Sequence, residues 1–207
     1  MSQSSSNARV ERVAEASLPC AYGEFRIVAF QGKQGDREQE LIVLKYGDLG
    51  DQEKAPLVRI HSQCMTGEIF GSERCDCGPQ LQMAMRLISE EGNGVLVYDP
   101  QEGRGIGILN KIRAYELQDQ GADTVEANEA LGFEADERDY RLAVAVLLDL
   151  GIQRVRFLSN NPAKVAALEE AGIEVVERVP CEPCSSDQAT AYLKTKREKL
   201  GHLIDGL

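Results

Sequence analysis

Gly94-Val-Leu-Val-Tyr-Asp-Pro-Gln-Glu-Gly-Arg-Gly-Ile-Gly107 is an apolar run, Gly94 to Tyr98, that passes at once into a glycine-rich loop. A short apolar run bounded by turn signals reads as a buried strand, and its flanks decide what sheet holds it. Upstream, Pro79 to Glu90 carries Leu81, Met85 and Ile88 at helical spacing; downstream, Ile108 to Gln120 reads as a helix ended by Gly121. Leu142, Val146 and Leu150 stripe a further helix that stops at Gly151, and Arg154 to Leu158 is the strand after it. Asn161-Pro162 supplies an N-cap and first helical position, with Gly172 as the matching stop. Ile173 to Val179 would be the last strand and Ala189 to Leu200 the last helix. Roughly the first 65 residues differ, because Glu24 to Phe30, Glu40 to Tyr46 and Leu57 to His61 read as strands between Gly, Asp and Pro turns. The predicted class is α/β, a β-rich N-terminal part followed by alternating helices and strands.

With 207 residues, 43% hydrophobic and 28% charged, the chain can bury one full core without disulfides. The serine-rich start, taken through residue 11, reads as a disordered tail, and residues 12–207 as a single domain. Met1-Ser-Gln-Ser-Ser-Ser-Asn7 has no basic segment leading into an apolar one, and no run approaches the ~20 apolar residues of a membrane helix. A cytoplasmic protein with no membrane partner is expected. In that reducing compartment six cysteines are metal ligands or free thiols rather than a disulfide framework. The net charge of −11 argues against a nucleic-acid partner. A small anion needs only a local basic pocket, for which Arg59, Arg74, Arg104, Lys111, Arg113, Arg138 and Lys164 are candidates.

Half of the cysteines crowd into Arg59-Ile-His-Ser-Gln-Cys-Met-Thr-Gly-Glu-Ile-Phe-Gly-Ser-Glu-Arg-Cys-Asp-Cys-Gly78. Cys75 and Cys77 can reach one metal if the backbone turns at Asp76, with Gly78 relieving the crowding and Cys64 returning across a loop. Three protein ligands leave a fourth position to water, as in catalytic zinc sites; His61 could instead close a structural Cys3His site. Ordinary buried thiols are the third reading. Cys181-x-x-Cys184 could be a redox pair or half of another metal site, and two free thiols is the plainer reading; Cys20 has no partner by spacing.

Two loops follow strands, where open α/β sheets place ligands. In Asp99 to Gly107 the glycines allow backbone amides to approach a phosphate, and Arg104 could clamp it. Ser159-Asn-Asn-Pro162 leads into a helix N-terminus with Lys164 in its first turn, which suits an anion or a plain cap. Between them, Asp136 with Asp139 reads as an N-cap and its partner, which would put Arg138 unfavourably in a first helical turn.

From about Arg12 onward the motifs resemble bacterial GTP cyclohydrolase II. They are Arg-Ile-His-Ser-x-Cys-x-Thr-Gly, Arg-Cys-Asp-Cys-Gly, Gln-Glu-Gly-Arg-x-Ile-Gly, Asn-Lys-Ile-Arg-Ala-Tyr, Thr-Val-Glu-Ala-Asn, Ala-Asp-Glu-Arg-Asp and Asn-Asn-Pro, in that order. The resemblance implies a single α/β catalytic domain, a homodimer, one zinc ion per subunit on Cys64, Cys75 and Cys77, and GTP bound with magnesium. It implies attack on C8 of guanine by water whose pKa the zinc lowers toward ~7. Formate and pyrophosphate would leave, giving 2,5-diamino-6-(5-phosphoribosylamino)pyrimidin-4(3H)-one, the first step of riboflavin biosynthesis. Tyr115 is then the proton donor near the base. GTP lies against Arg59, Ile60, His61, Ser62, Gln63, Glu102, Gly103, Arg104, Thr124, Ser159 and Lys164, with Gln80 at the guanine. The family mechanism makes Arg138 the nucleophile at the α-phosphate and Asp136 the proton acceptor. Charge stabilisation is the easier role for a guanidinium, which stays protonated in proteins.

The chain departs from the family pattern at Gln63, where Glu is usual, at Ser159, where Thr is usual, and over Val179 to Cys184. An early-stopping variant with a formamidopyrimidine product, and a zinc-stapled module that binds a nucleotide without turnover, are the alternatives. A monofunctional enzyme is expected, since the match begins near residue 12.

Overall fold

The computed structural model describes residues 8–35, 37–50, 54–183 and 189–204. Strands β1 (Arg9–Cys20), β2 (Gly23–Gln34) and β3 (Arg37–Tyr46) form an antiparallel meander. β3 pairs antiparallel with β5 (Gly94–Asp99), and β4 (Leu57–Ser62), β6 (Arg154–Leu158) and β7 (Glu174–Val179) continue in parallel. One seven-stranded sheet results, in the order β1-β2-β3-β5-β4-β6-β7. The helices are α1 (Met65–Glu68), α2 (Cys77–Glu91), α3 (Gly107–Asp119), α4 (Thr124–Ala130), α5 (Arg141–Asp149), α6 (Pro162–Glu170) and α7 (Ala189–Leu200).

Strand side chains alternate between faces, so a sheet covered on both sides needs near-continuous apolar runs. β5 is such a run, while β4 carries the buried Arg59 and His61 among its apolar residues. Val58, Ile60, Val95 and Val97 enter a core roofed by Val146 and Leu147 of α5 and Leu168 of α6, while Leu57 and Leu96 enter a second core with Ala84 and Ile88 of α2. The buried row of α2 is Gln80, Ala84 and Ile88, with the expected Leu81 and Met85 flanking it.

Residues 9 to 11, expected in the tail, belong to β1, a strand that the sequence pattern does not predict. Its register shifts between Arg12 and Ala14, at Val13, which is 65% exposed. A bulge breaks period-two alternation, so Val10 packs on one core and Leu18 on the other although both lie at even positions. α4 also went unread, although Asp123 and Glu126 form a capping box that its sequence carries. A correction falls on Asp136 to Asp139: α5 starts only at Arg141, so Asp136 is no N-cap and Arg138 lies in a loop ahead of the helix.

The chain leaves β4 to one side for β5 and later passes to the other side for β6. The carboxyl ends of β4, β5 and β6 thus sit together where strand order reverses, the usual ligand position of open α/β sheets.

Candidate active site

Each of those ends delivers polar residues. After β4, the turn into α1 is held by two carboxylates. Glu68 accepts the Cys64 amide at 2.7 Å and the Tyr98 hydroxyl at 2.7 Å. Glu102, from the loop after β5, accepts the Met65 amide at 2.6 Å and the Gly103 amide at 2.8 Å. That loop turns through Gly103 and Arg104 at φ 62° and 60°, and Arg104 is the single described non-glycine residue with positive φ. Such a backbone costs an L-residue roughly 1–2 kcal/mol. The strain is held by the Arg104 carbonyl accepting the Glu137 amide at 3.0 Å.

The thiols of Cys64, Cys75 and Cys77 converge, their sulfurs all within 4.8 Å of one another, and no other described His, Cys, Asp or Glu joins them. Cys64 and Cys75 Sγ lie 3.6 Å apart, close to the roughly 3.8 Å between two sulfurs on one tetrahedral zinc with Zn–S of about 2.3 Å. His61 is not among the groups that converge with the thiols; its Nε2 pairs with Glu68 at 2.9 Å. Burial holds His61 down to about 4, and as a neutral ring it donates to that carboxylate. The three thiols lie close enough to compete for ionisation. Cys64 is pushed far down by hydrogen bonds from Cys75 and Cys77 and by the Lys111 ammonium at 3.1 Å, while Cys75 and Cys77 are pushed up. A divalent cation removes that competition.

Two glycines let the thiols gather. A Cβ on Gly67 would stand 2.9 Å from Cys75 Sγ, and one on Gly78 would stand 2.4 Å from the Gly67 carbonyl oxygen. Gly78→Ala must therefore push α2 off α1. We expect a loss of about 1–3 kcal/mol in denaturant unfolding, together with less than stoichiometric bound metal.

The trio opens on a cavity of about 290 Å³, also lined by Gln63, Lys111, Tyr115, Thr124 and Asn128. The Tyr115 hydroxyl is 3.2 Å from Thr66 Oγ1, and burial raises its pKa, so at neutral pH it keeps its proton. A smaller pocket of about 60 Å³ adjoins it, sharing Ser62, Cys77, Arg104 and Arg138. There Arg59, Arg104, Arg138, Lys164 and Lys196 come together in a chain whose net charge is −11. Lys164 donates to the Ile60 carbonyl at 2.9 Å and to Ser62 at 3.3 Å. Burial first, then the Arg138 and Arg59 charges, push its pKa well below the usual lysine range. An anion there would relieve the crowding. Asp136 grips Arg138 by two hydrogen bonds, Nε to Oδ1 at 2.7 Å and Nη2 to Oδ2.

Of the residues expected from sequence, Gln63, Glu102, Gly103, Thr124 and Tyr115 line the larger cavity. Arg59, His61, Gln80, Ser159 and Lys164 line the smaller, and Ser62, Arg104 and Arg138 line both. Ile60 contributes its carbonyl, and Gln80 bridges Arg59 to Asp76 at 2.6 and 2.5 Å. Thr66, Glu68, Asn128 and Lys196 were missed. Thr66 and Asn128 lie inside the motifs quoted above, and the capping box before α4 places Asn128 one turn after Thr124 on the same helical face. Cys181 is buried, and Cys184 lies outside the described residues.

A family model described as GTP cyclohydrolase II matches residues 11–180. The chain is 53% identical over 195 residues to "Riboflavin biosynthesis protein RibBA" of Chlorobium phaeovibrioides, covering 94% of this chain and 47% of that protein. It is 52% identical over 196 residues to a Bacillus cereus protein of the same name, covering 95% and 49%. It is 51% identical over 197 residues to "GTP cyclohydrolase-2" of Actinobacillus succinogenes, covering 95% and 89%. The chain spans about half the length of the first two. A solved two-domain 3,4-dihydroxy-2-butanone 4-phosphate synthase from A. baumannii matches with a TM-score of 0.44 at 17% identity, over 86% of this chain and 40% of its own, too loose a likeness to bear on this site.

Proposed function

This chain belongs to the GTP cyclohydrolase II family, and on that premise we propose that it hydrolyses GTP, opening the guanine imidazole ring with release of formate and pyrophosphate. The product would be 2,5-diamino-6-(5-phosphoribosylamino)pyrimidin-4(3H)-one, and the step the first of riboflavin biosynthesis. One observation carries the reading: three convergent thiols open on a cavity that continues into a pocket of five cationic side chains. That is a place for a base beside a place for phosphates.

Cys64, Cys75 and Cys77 would hold zinc, which supplies Lewis-acid activation of water near neutral pH. Lys111, 3.1 Å from Cys64 Sγ and 2.7 Å from Glu102, fixes the first thiolate. Tyr115 offers its proton to the purine as the ring opens. Arg59, Arg104, Arg138 and Lys164 take the triphosphate, and Arg138 spreads the charge that develops at the α-phosphate, its own proton secured by Asp136. No carboxylate lines the smaller pocket among the described residues, so magnesium would be carried there by phosphate oxygens. The chain from β1 onward would act as one catalytic domain of a cytoplasmic homodimer. Exposed Ile69 and Phe70 and, on α3, Leu109 and Ile112 are apolar surface for such contact. Sedimentation equilibrium is expected to give twice the 22.7 kDa chain mass.

Zinc-loaded protein given GTP and magnesium tests the activity, with formate and pyrophosphate quantified while the ultraviolet spectrum of the base is followed. Equal amounts of both are expected. Gln63 beside the first ligand favours one other outcome, pyrophosphate without formate, which would mark an enzyme that stops at the formamidopyrimidine. Neither product with tight GTP binding would leave a binding module.

A further inference from the structure

The family model matches through residue 180 and α7 follows it, within reach of the relatives' alignments over 195 to 197 residues. Lys196 of α7 is buried, with its Nζ 2.9 Å from Asp76 Oδ1. Asp76 stands between the two ligand candidates Cys75 and Cys77 and is 4% exposed. It is also the N-cap of α2, yet its side chain takes no amide of that helix. An aspartate at that place ordinarily caps. Here both carboxylate oxygens are engaged elsewhere, Oδ1 by Lys196 and Oδ2 by the Gln80 amide at 2.5 Å. Gln80 Oε1 in turn accepts from Arg59 at 2.6 Å, and Arg59 donates to the Leu158 carbonyl at 2.9 Å. A continuous chain of bonds therefore runs from α7 through the turn of the cysteine pair to β4 and β6.

We propose that α7 is a working part of the site, with Lys196 a positioning residue: ion-paired to Asp76, it holds the Cys75-Asp76-Cys77 turn so that both thiols meet Cys64 around one metal ion. This rests on the metal reading proposed above. Two residues one apart can present both sulfurs to one point only if the residue between them turns the backbone, and Asp76 does so at φ −95° and ψ 10°. A buried carboxylate without a cation is strongly disfavoured and would swing toward water, taking the turn with it. The same helix brings Thr195 to the larger cavity and His202, just past it, to the smaller.

The test is zinc affinity, measured on the full chain without GTP by competition with a chromophoric chelator, and the absorption of the cobalt(II)-substituted protein. Lys196→Met is expected to weaken zinc binding by about 10–100-fold, the usual effect of losing a partner behind the ligands, and to alter the cobalt thiolate bands. Lys196→Arg, which keeps the charge, is expected to stay within about threefold of the parent chain. A Met variant as tight as the parent, or an Arg variant as weak as the Met variant, overturns the inference. If Lys196→Met does not fold, Asp76→Asn with Lys196→Met removes the lone buried charge, and unchanged zinc affinity in that double variant overturns it equally. Parent protein that binds zinc but leaves GTP intact defeats the proposed function and leaves this result standing. Parent protein that binds no zinc defeats both.

Discussion

Cys75→Ser is expected to abolish formate release, by at least about 10³-fold, while the protein still melts cooperatively. A metal-activated water is worth several kcal/mol of barrier, and each 1.36 kcal/mol is tenfold in rate. Cys75 sits 3.6 Å from Cys64 Sγ at the centre of the trio, so its loss leaves too few ligands for a retained ion. A serine oxygen does not replace the thiolate, because the hydroxyl stays protonated and thiolates are the softer donors. Bound zinc should fall from one per chain to a small fraction in dialysed protein, and dialysis of the parent against a strong chelator should reproduce the loss, reversed by added zinc. GTP should still bind, since the smaller pocket that holds Arg59 and Lys164 is not lined by Cys75. Full activity in a zinc-free variant would remove the metal from the proposed chemistry.

Arg138→Ala should lower pyrophosphate release by about 10²–10³-fold, the range for removing one preorganised donor from developing charge. Arg138→Lys should recover part of this, because a point charge remains although the planar fork does not. Asp136 holds the guanidinium by two bonds, and its pKa is lowered because Arg138 outweighs the burial that would raise it. That pairing favours a protonated Arg138 that stabilises charge. A covalent role predicts a phosphoramidate on Arg138, so GTP labelled at the α-phosphate followed by a base quench and peptide mapping decides between them. Labelled peptide containing Arg138 would overturn the electrostatic role.

How much of this was legible depended on whether a signal was local. Strand β5, buried on both faces, shows as an apolar run; α6 announces itself by Asn161-Pro162 and stops before Gly172; the Cys64, Cys75 and Cys77 cluster is dense enough in sequence to suggest a metal site. Those features depend on neighbouring residues only, so the chain by itself determined the α/β class and marked the cysteine trio as a candidate metal site. β1 was hidden because the shift at Val13 scrambles its alternation, and α4 because its capping box opens a helix of only seven residues. Arg138 was placed in a helix that starts three residues later.

Tertiary structure alone decided the rest. Whether His61 would close the metal site could not be read from spacing, since its partner Glu68 is set by how α1 folds against β4. Lys196 reaches Asp76 across 120 residues, and Lys164 reaches the Ile60 carbonyl across 104. No periodicity encodes a contact of that range. It arises when the sheet brings the ends of β4, β5 and β6 side by side and leaves buried charges that must find partners where the chain returns.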